Sequence, residues 1–204
     1  MRPSYEFSKM KGRRDPHAKR LGRSSAAKTK ALDALITSRG YSDFKWINPK
    51  DIIVAEWVRM KCRFGCSGYG RNASCPPNVP EVAECRRFFD SYATGVVFHF
   101  AKKVADPKKR HVWTVGITRD MLKLEREVFL AGYHEAFLLP MDSCYLCARC
   151  PGVRELCKQP ALARPTPEAL AVDVYATARQ WGYPIEVLRD YSETMNRYAF
   201  LLVE

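Results

Sequence analysis

Residues 95–100 read Gly-Val-Val-Phe-His-Phe, a compact run of β-branched and aromatic side chains. Such a run is typical of a buried β-strand. His99 alternates with apolar residues here, so a packed core histidine is favoured over a metal ligand. A predicted helix lies on either side of this strand, over residues 80–92 before it and residues 119–132 after it. The centre of the chain therefore indicates a fold that mixes helices and strands.

The rest of the chain continues this alternation. We predict further helices over residues 26–38 and 167–182. Further strands are predicted over residues 51–58, 135–139, 185–188 and 198–203. The order indicates an α/β or α+β fold, with a sheet of about four to five strands and flanking helices. Two cysteine-rich segments are expected to form metal-binding loops that follow strands.

The second cysteine-rich segment has the spacing C-x2-C-x2-C-x6-C, formed by Cys144, Cys147, Cys150 and Cys157. Its first three cysteines match the start of a bacterial ferredoxin run, which favours a four-iron four-sulfur cluster, [4Fe-4S]. Cys157 follows after six residues rather than three, and this spacer is long enough to return to the same cluster. A zinc ion held by four sulfurs is the alternative, because C-x2-C pairs also bind zinc.

The first cysteine-rich segment has the spacing C-x3-C-x8-C, formed by Cys62, Cys66 and Cys75. Three glycines lie between these thiols, as a loop that wraps a cluster requires. Three thiols can hold a cluster with one iron open to a substrate. Alternatively Cys85, ten residues further on, closes the site as a fourth ligand. Cys85 also shares a face of its predicted helix with apolar residues, which is typical of a small buried side chain.

The charge of the chain is unevenly distributed. The formal net charge is +12, and residues 1–30 contain ten Lys and Arg residues against two acidic ones. We predict that residues 1–23 form a basic flexible N-terminal arm and that residues 24–204 form a single metal-binding domain. A basic arm of this kind can bind nucleic acid, but a solvated extension is favoured.

The sequence lacks the signals of a membrane or secreted protein. No run of 18 apolar residues occurs, and the N-terminus lacks the apolar stretch of a secretory signal. We therefore expect a cytoplasmic protein with no membrane contact. Thiols stay reduced in that compartment, so clustered cysteines favour metal over disulfides. No P-loop, zinc-protease or serine-hydrolase motif is present, and catalytic residues are unknown.

The combined pattern of cysteines resembles a known family. Cys62 and Cys66 followed by Tyr69-Gly70 and Cys75-Pro76-Pro77, together with the second cysteine-rich segment, resemble the predicted metal-binding proteins of the domain of unknown function 2284 family. The similarity covers residues 45–204 and implies binding of an iron–sulfur cluster or another metal, without a settled activity. By the resemblance, the expected ligands are Cys62, Cys66, Cys75, Cys144, Cys147, Cys150 and Cys157.

The predicted function is that of an iron–sulfur protein with two [4Fe-4S] clusters that exchanges electrons with a redox partner protein. No substrate-handling motif accompanies the thiols, which favours electron transfer. One alternative is an enzyme that uses an open iron at Cys62, Cys66 and Cys75 as Lewis acid or sulfur acceptor. Another is a zinc-stabilised module whose basic arm contacts nucleic acid.

Overall fold

A four-stranded antiparallel sheet lies at the centre of the protein, in a computed structural model that describes residues 25–204. Its strands are β1 (Phe44–Ile47), β2 (Gly95–Lys103), β3 (Phe137–Leu139) and β4 (Thr194–Leu202), in the order β1-β2-β4-β3. Every neighbouring pair is antiparallel. The fold is therefore α+β. The predicted arm at residues 1–23 lies outside the described residues.

Helices pack on both faces of this sheet. They are α1 (Ser25–Ser38), α2 (Glu56–Gly65), α3 (Val82–Asp90), α4 (Pro107–Leu130) and α5 (Val174–Gln180). Local sequence explains several of their starts. A capping box between Glu81 and Glu84 begins α3. Asp106 begins α4, where its side chain accepts a hydrogen bond from the Lys108 N–H and Pro107 occupies the first helical turn.

The sheet separates two hydrophobic cores. On β2, Val97 faces the core formed with α3 and α5, while Val96 and Phe98 face the core formed with α1 and α4. The same alternation holds on β4, where Phe200 and Leu201 belong to opposite cores. The run 95–100 is thus buried on both faces, which explains its continuous apolar character.

Most of the predicted elements are confirmed. The helices predicted over 26–38, 80–92 and 119–132 occur as α1, α3 and the C-terminal half of α4. The strands predicted over 95–100, 135–139 and 198–203 occur as β2, β3 and β4. Strand β1 was not predicted, because it has only four residues and lies at the edge of the sheet, where apolar alternation is weak.

The strand predicted over residues 51–58 is wrong. Within it, Val54 alone pairs, in an isolated bridge to Val172, and the chain enters α2 at Glu56. Ile52 and Val54 are buried by packing and not by a strand ladder. Cys62 consequently lies on a helix, so the prediction of a loop following a strand fails for the first cysteine-rich segment.

Two predictions near the C-terminus also fail. The helix predicted over 167–182 is divided, because Ala171 adopts a left-handed backbone with φ 61° and Val172 pairs with Val54. Asp173 then caps α5 by accepting a hydrogen bond from the Ala176 N–H at 3.0 Å. Residues 185–188 form no strand. No helix within residues 25–204 is long and apolar enough to cross a membrane.

Candidate metal centre

The first three predicted ligands are positioned by α2 and the segment after it. Cys62 lies in the last turns of α2, and Cys66 follows directly at its C-terminal end. Cys75 lies further along the segment that leads to α3. Cys66 is exposed, whereas Cys62 and Cys75 are half-buried. The helix thus fixes the spacing of the first two thiols, and the irregular segment returns the third towards them.

The second group of predicted ligands follows β3, as the predicted strand before Cys144 indicates. Cys144, Cys147, Cys150 and Cys157 lie between β3 and a short 3-10 helix at Glu168–Leu170, and all four are half-buried. The N–H of Ala73, from the first segment, donates a hydrogen bond of 3.3 Å to the Cys150 Sγ. Backbone donors aimed at sulfur are typical of metal-bound thiolates.

Two asparagines hold the cysteine segments together. The Asn72 Nδ2 donates to the Cys144 carbonyl at 2.9 Å. The Asn78 Nδ2 donates to the Gly152 carbonyl at 2.8 Å, and its Oδ1 accepts from the Arg154 N–H at 3.2 Å. These bonds join residues more than 70 positions apart in the chain. The two groups of thiols therefore meet at one place on the protein.

Seven thiols line two adjoining cavities. The larger is an open cleft of about 470 Å³, in the size range of small-molecule sites, and it is lined by Cys62, Cys66, Cys75, Cys144, Cys147 and Cys150. The smaller has a volume of about 10 Å³, roughly that of one water. Its thiols are Cys144, Cys147, Cys150 and Cys157. Three cysteines of the second group thus border both cavities.

Burial makes three of these thiols, Cys62, Cys75 and Cys144, harder to deprotonate, because it raises their pKa values. The pKa of Cys75 is raised to about 11, mainly by burial and to a smaller extent by the neighbouring Cys62, Cys66 and Cys144. Burial also raises the pKa of Cys144, to which the other three thiols of its group contribute by charge repulsion. A positive charge beside these three thiols would favour their deprotonation, and a bound metal supplies such a charge as it displaces the protons.

Cys85 lies outside the two cavities that the other seven cysteines line. It is fully buried in the core of α3 and α5, and it lines neither cavity. Its Sγ is 3.5 Å from the Pro80 carbonyl, as a hydrogen-bond donor, and 4.0 Å from the Arg59 Nη2. This placement is that of a small buried side chain, and the structure does not bring it together with Cys62, Cys66 and Cys75.

The chemistry of the donors fits a thiolate-bound metal. All eight cysteines are free of disulfides. Within residues 25–204, however, no group of three or more His, Cys, Asp or Glu side chains is arranged to hold a metal ion. Both ring nitrogens of His99 form hydrogen bonds outside the cysteine-rich segments, one with the Asp43 Oδ2 at 2.6 Å and the other with the Asn196 Oδ1 at 2.8 Å.

Further residues of the cleft were not found from the sequence. Arg197 on β4 lines it, and the Arg197 Nη1 is 3.5 Å from the Met141 carbonyl. Glu168 lines it beside Cys62, whose Sγ is 4.0 Å from the Glu168 carbonyl. Neither residue belongs to a cysteine motif, so no local pattern signals them.

The close contact between the two cysteine-rich segments predicts that Gly70→Ala and Gly152→Ala differ in stability. Gly70 and Gly152 both adopt left-handed backbones, with φ of 71° and 78°. A Cβ at Gly152 would lie 3.0 Å from the Gly70 carbonyl oxygen, whereas a Cβ at Gly70 would meet nothing within 4 Å. Gly70→Ala should destabilise the fold by about 1–2 kcal/mol through backbone strain alone. Gly152→Ala should lose more stability than Gly70→Ala and should also retain less metal. Denaturant unfolding measures the stability, and metal analysis measures the metal content. Equal losses in the two variants would contradict this close approach.

Comparison with known proteins identifies the family. Residues 45–203 match the family of predicted metal-binding proteins DUF2284, which confirms the resemblance inferred from the cysteine spacing. Neither the search of curated proteins nor that of solved structures found a match. Since the match covers most of the chain and includes both cysteine-rich segments, the protein belongs to the DUF2284 family of predicted metal-binding proteins.

Proposed function

We propose that the protein is an iron–sulfur protein that binds two [4Fe-4S] clusters and exchanges electrons with a protein partner. The observation that carries the proposal is the convergence of seven thiols around two adjoining cavities. Seven sulfur donors at one place exceed the four that a structural zinc site uses. Two clusters, one for each group of cysteines, would account for all seven.

The surroundings of the thiols also favour a redox role. When bound, an iron–sulfur cluster supplies a centre that takes up and returns one electron. The Ala73 N–H donates to the Cys150 Sγ, and the Cys75 Sγ lies 3.9 Å from the Ser143 Oγ. Hydrogen bonds to the sulfurs raise the reduction potential of a cluster, as do nearby cations such as Arg197. Cys66 is exposed and the other six are half-buried, so a partner can approach closely.

A second candidate is the enzyme with an open iron at Cys62, Cys66 and Cys75. It is favoured by the cleft of about 470 Å³ beside these thiols and by the separate position of Cys85 in the core. Arg197 and Glu168 would then offer a guanidinium and a carboxyl group to a small ligand in the cleft. Zinc at the second group, within the smaller cavity, remains the alternative to a cluster there.

Reversible reduction tests the redox proposal. Protein purified without oxygen should show a broad visible absorption that bleaches when dithionite is added and returns on reoxidation. This reversible bleaching is expected because the clusters accept and return electrons without loss of iron. A colourless protein, or one whose iron is released on reduction, would contradict the electron-transfer role.

A further inference from the structure

Helix α2 presents an apolar face to solvent beside the first group of cysteines. Trp57, Met60 and Phe64 follow one another at intervals of three and four residues, so they lie on one side of the helix. They are 46%, 50% and 76% exposed. Phe64 stands between the proposed ligands Cys62 and Cys66 in the chain. Adjacent large apolar side chains at the surface mark an interaction site more often than an isolated one does.

Cations lie on this apolar face. The Lys61 Nζ is 5.0 Å from the centre of the Trp57 ring, and the Arg63 guanidinium is 5.6 Å from the centre of the Phe64 ring. Within the part of the chain that the structure describes, neither cation forms an ion pair. Residues 56–71 contain four basic residues and one acidic residue. The face is therefore both apolar and positively charged.

The apolar character and the positive charge of this face indicate which kind of molecule binds to it. Aromatic residues, Met and Arg are enriched at the centres of protein interfaces, and complementary charge speeds association. The basic N-terminal segment is disfavoured by charge, since residues 1–30 contain ten basic residues against two acidic ones. A second copy of the chain would present the same positive charge. An acidic protein is the complementary partner.

Building on the proposed function, we propose that the α2 face, formed by Trp57, Met60, Lys61, Arg63 and Phe64, docks a small acidic electron-carrier protein. Cys62 lies on the same helix, on the side turned away from these apolar residues, and Cys66 follows its C-terminal end, so a docked carrier lies about one helix diameter, roughly 10–12 Å, from the first group of thiols. In the complex one electron leaves the reduced carrier, which is oxidised, and enters that centre, which is reduced; the reverse exchange uses the same contacts.

Calorimetric titration of the metal-loaded protein tests this surface. The probes are a flavodoxin of net negative charge and, as the opposite case, a basic c-type cytochrome. We expect flavodoxin to bind with an affinity that falls as salt rises, and the cytochrome not to bind. Phe64→Glu should weaken flavodoxin binding by about tenfold or more, because it removes the most exposed apolar side chain of the face and places an acidic group there. Lys61→Glu combined with Arg63→Glu should weaken it by a similar factor and reduce its salt dependence.

Val187→Glu is the matched control. Val187 is 76% exposed, as Phe64 is, and lies outside α2 and the cysteine-rich segments. Its variant should bind flavodoxin as the wild type does. Absence of flavodoxin binding in the wild type, equal binding by the Phe64 and Val187 variants, or equal binding of the cytochrome would overturn the proposal. So would sedimentation showing a dimer that Phe64→Glu dissociates, since the occupant would then be a second copy.

Elemental analysis distinguishes a failure of the docking proposal from a failure of the proposed function. Elemental analysis of the same samples should give equal metal content in the wild type and the Phe64 and Val187 variants. Full metal content without flavodoxin binding would overturn the docking surface alone. A wild-type protein without iron would instead overturn the proposed function.

Discussion

Replacing Cys157 with Ser is expected to remove the metal of the second group of cysteines and to leave the first group loaded. Cys157 borders the smaller cavity and not the cleft, whereas Cys66 borders the cleft and not the smaller cavity. Cys66→Ser should therefore remove the metal of the first group of cysteines and leave the second group loaded. If each group binds one cluster, each variant should keep about half of the wild-type iron, and the double variant should keep none. Iron and sulfide analysis of protein prepared without oxygen gives the readout.

Cys85→Ala is the matched control for these two variants. Because Cys85 is fully buried in the core and lines neither cavity, its replacement should lower stability slightly and leave the metal content unchanged. Loss of the first group's metal from this variant would show a fourth thiol ligand and remove the open-iron alternative. Complete loss of metal from either single variant, Cys66→Ser or Cys157→Ser, would contradict two separate centres.

Replacing Arg164 with Met is expected to cause a large loss of stability. The Arg164 Nε donates to the Glu125 Oε1 at 2.8 Å, and the same oxygen accepts from the Leu138 N–H at 2.8 Å. Glu125 is buried on α4, at 5% exposure. Among the residues that the structure describes, Arg164 alone forms an ion pair with this carboxylate, so its loss leaves a buried charge uncompensated, which costs about 3–5 kcal/mol. Denaturant unfolding at neutral pH measures the loss.

The double variant Glu125→Gln with Arg164→Met separates charge from packing. A glutamine at position 125 can still accept the Leu138 N–H but carries no charge that needs compensation. The double variant should therefore recover more than half of the stability lost by Arg164→Met. A loss below about 1 kcal/mol in the single variant, as for an exposed ion pair, would contradict the importance of this buried contact.

The sequence indicates which cysteines are candidate ligands, but it does not predict how the two groups of cysteines meet. Spacing within each cysteine-rich segment is local, and so it indicates a metal site directly. The contact between the segments depends on Asn72 and Asn78, whose bonds span more than 70 residues. Such pairings follow from the packed fold, which no short motif encodes. For the same reason Arg197 and Glu168 were not predicted to line the cleft.

The errors in secondary structure have specific physical causes. Residues 51–58 contain Ile52, Ile53 and Val54, whose β-branched side chains favour a strand. In the folded chain Ile52 and Val54 pack into a core without a strand partner beyond the bridge to Val172. Tertiary packing thus overrides the local preference. In contrast, the run 95–100 is buried on both faces of the sheet, and there local preference and packing agree.

The iron and sulfide content of the purified protein tests the iron–sulfur assignment most directly. Material purified in the absence of oxygen should be brown and should contain iron and acid-labile sulfide in about equal amounts. Zinc without sulfide in a colourless protein, or cysteines joined as disulfides with no metal, would contradict the iron–sulfur assignment.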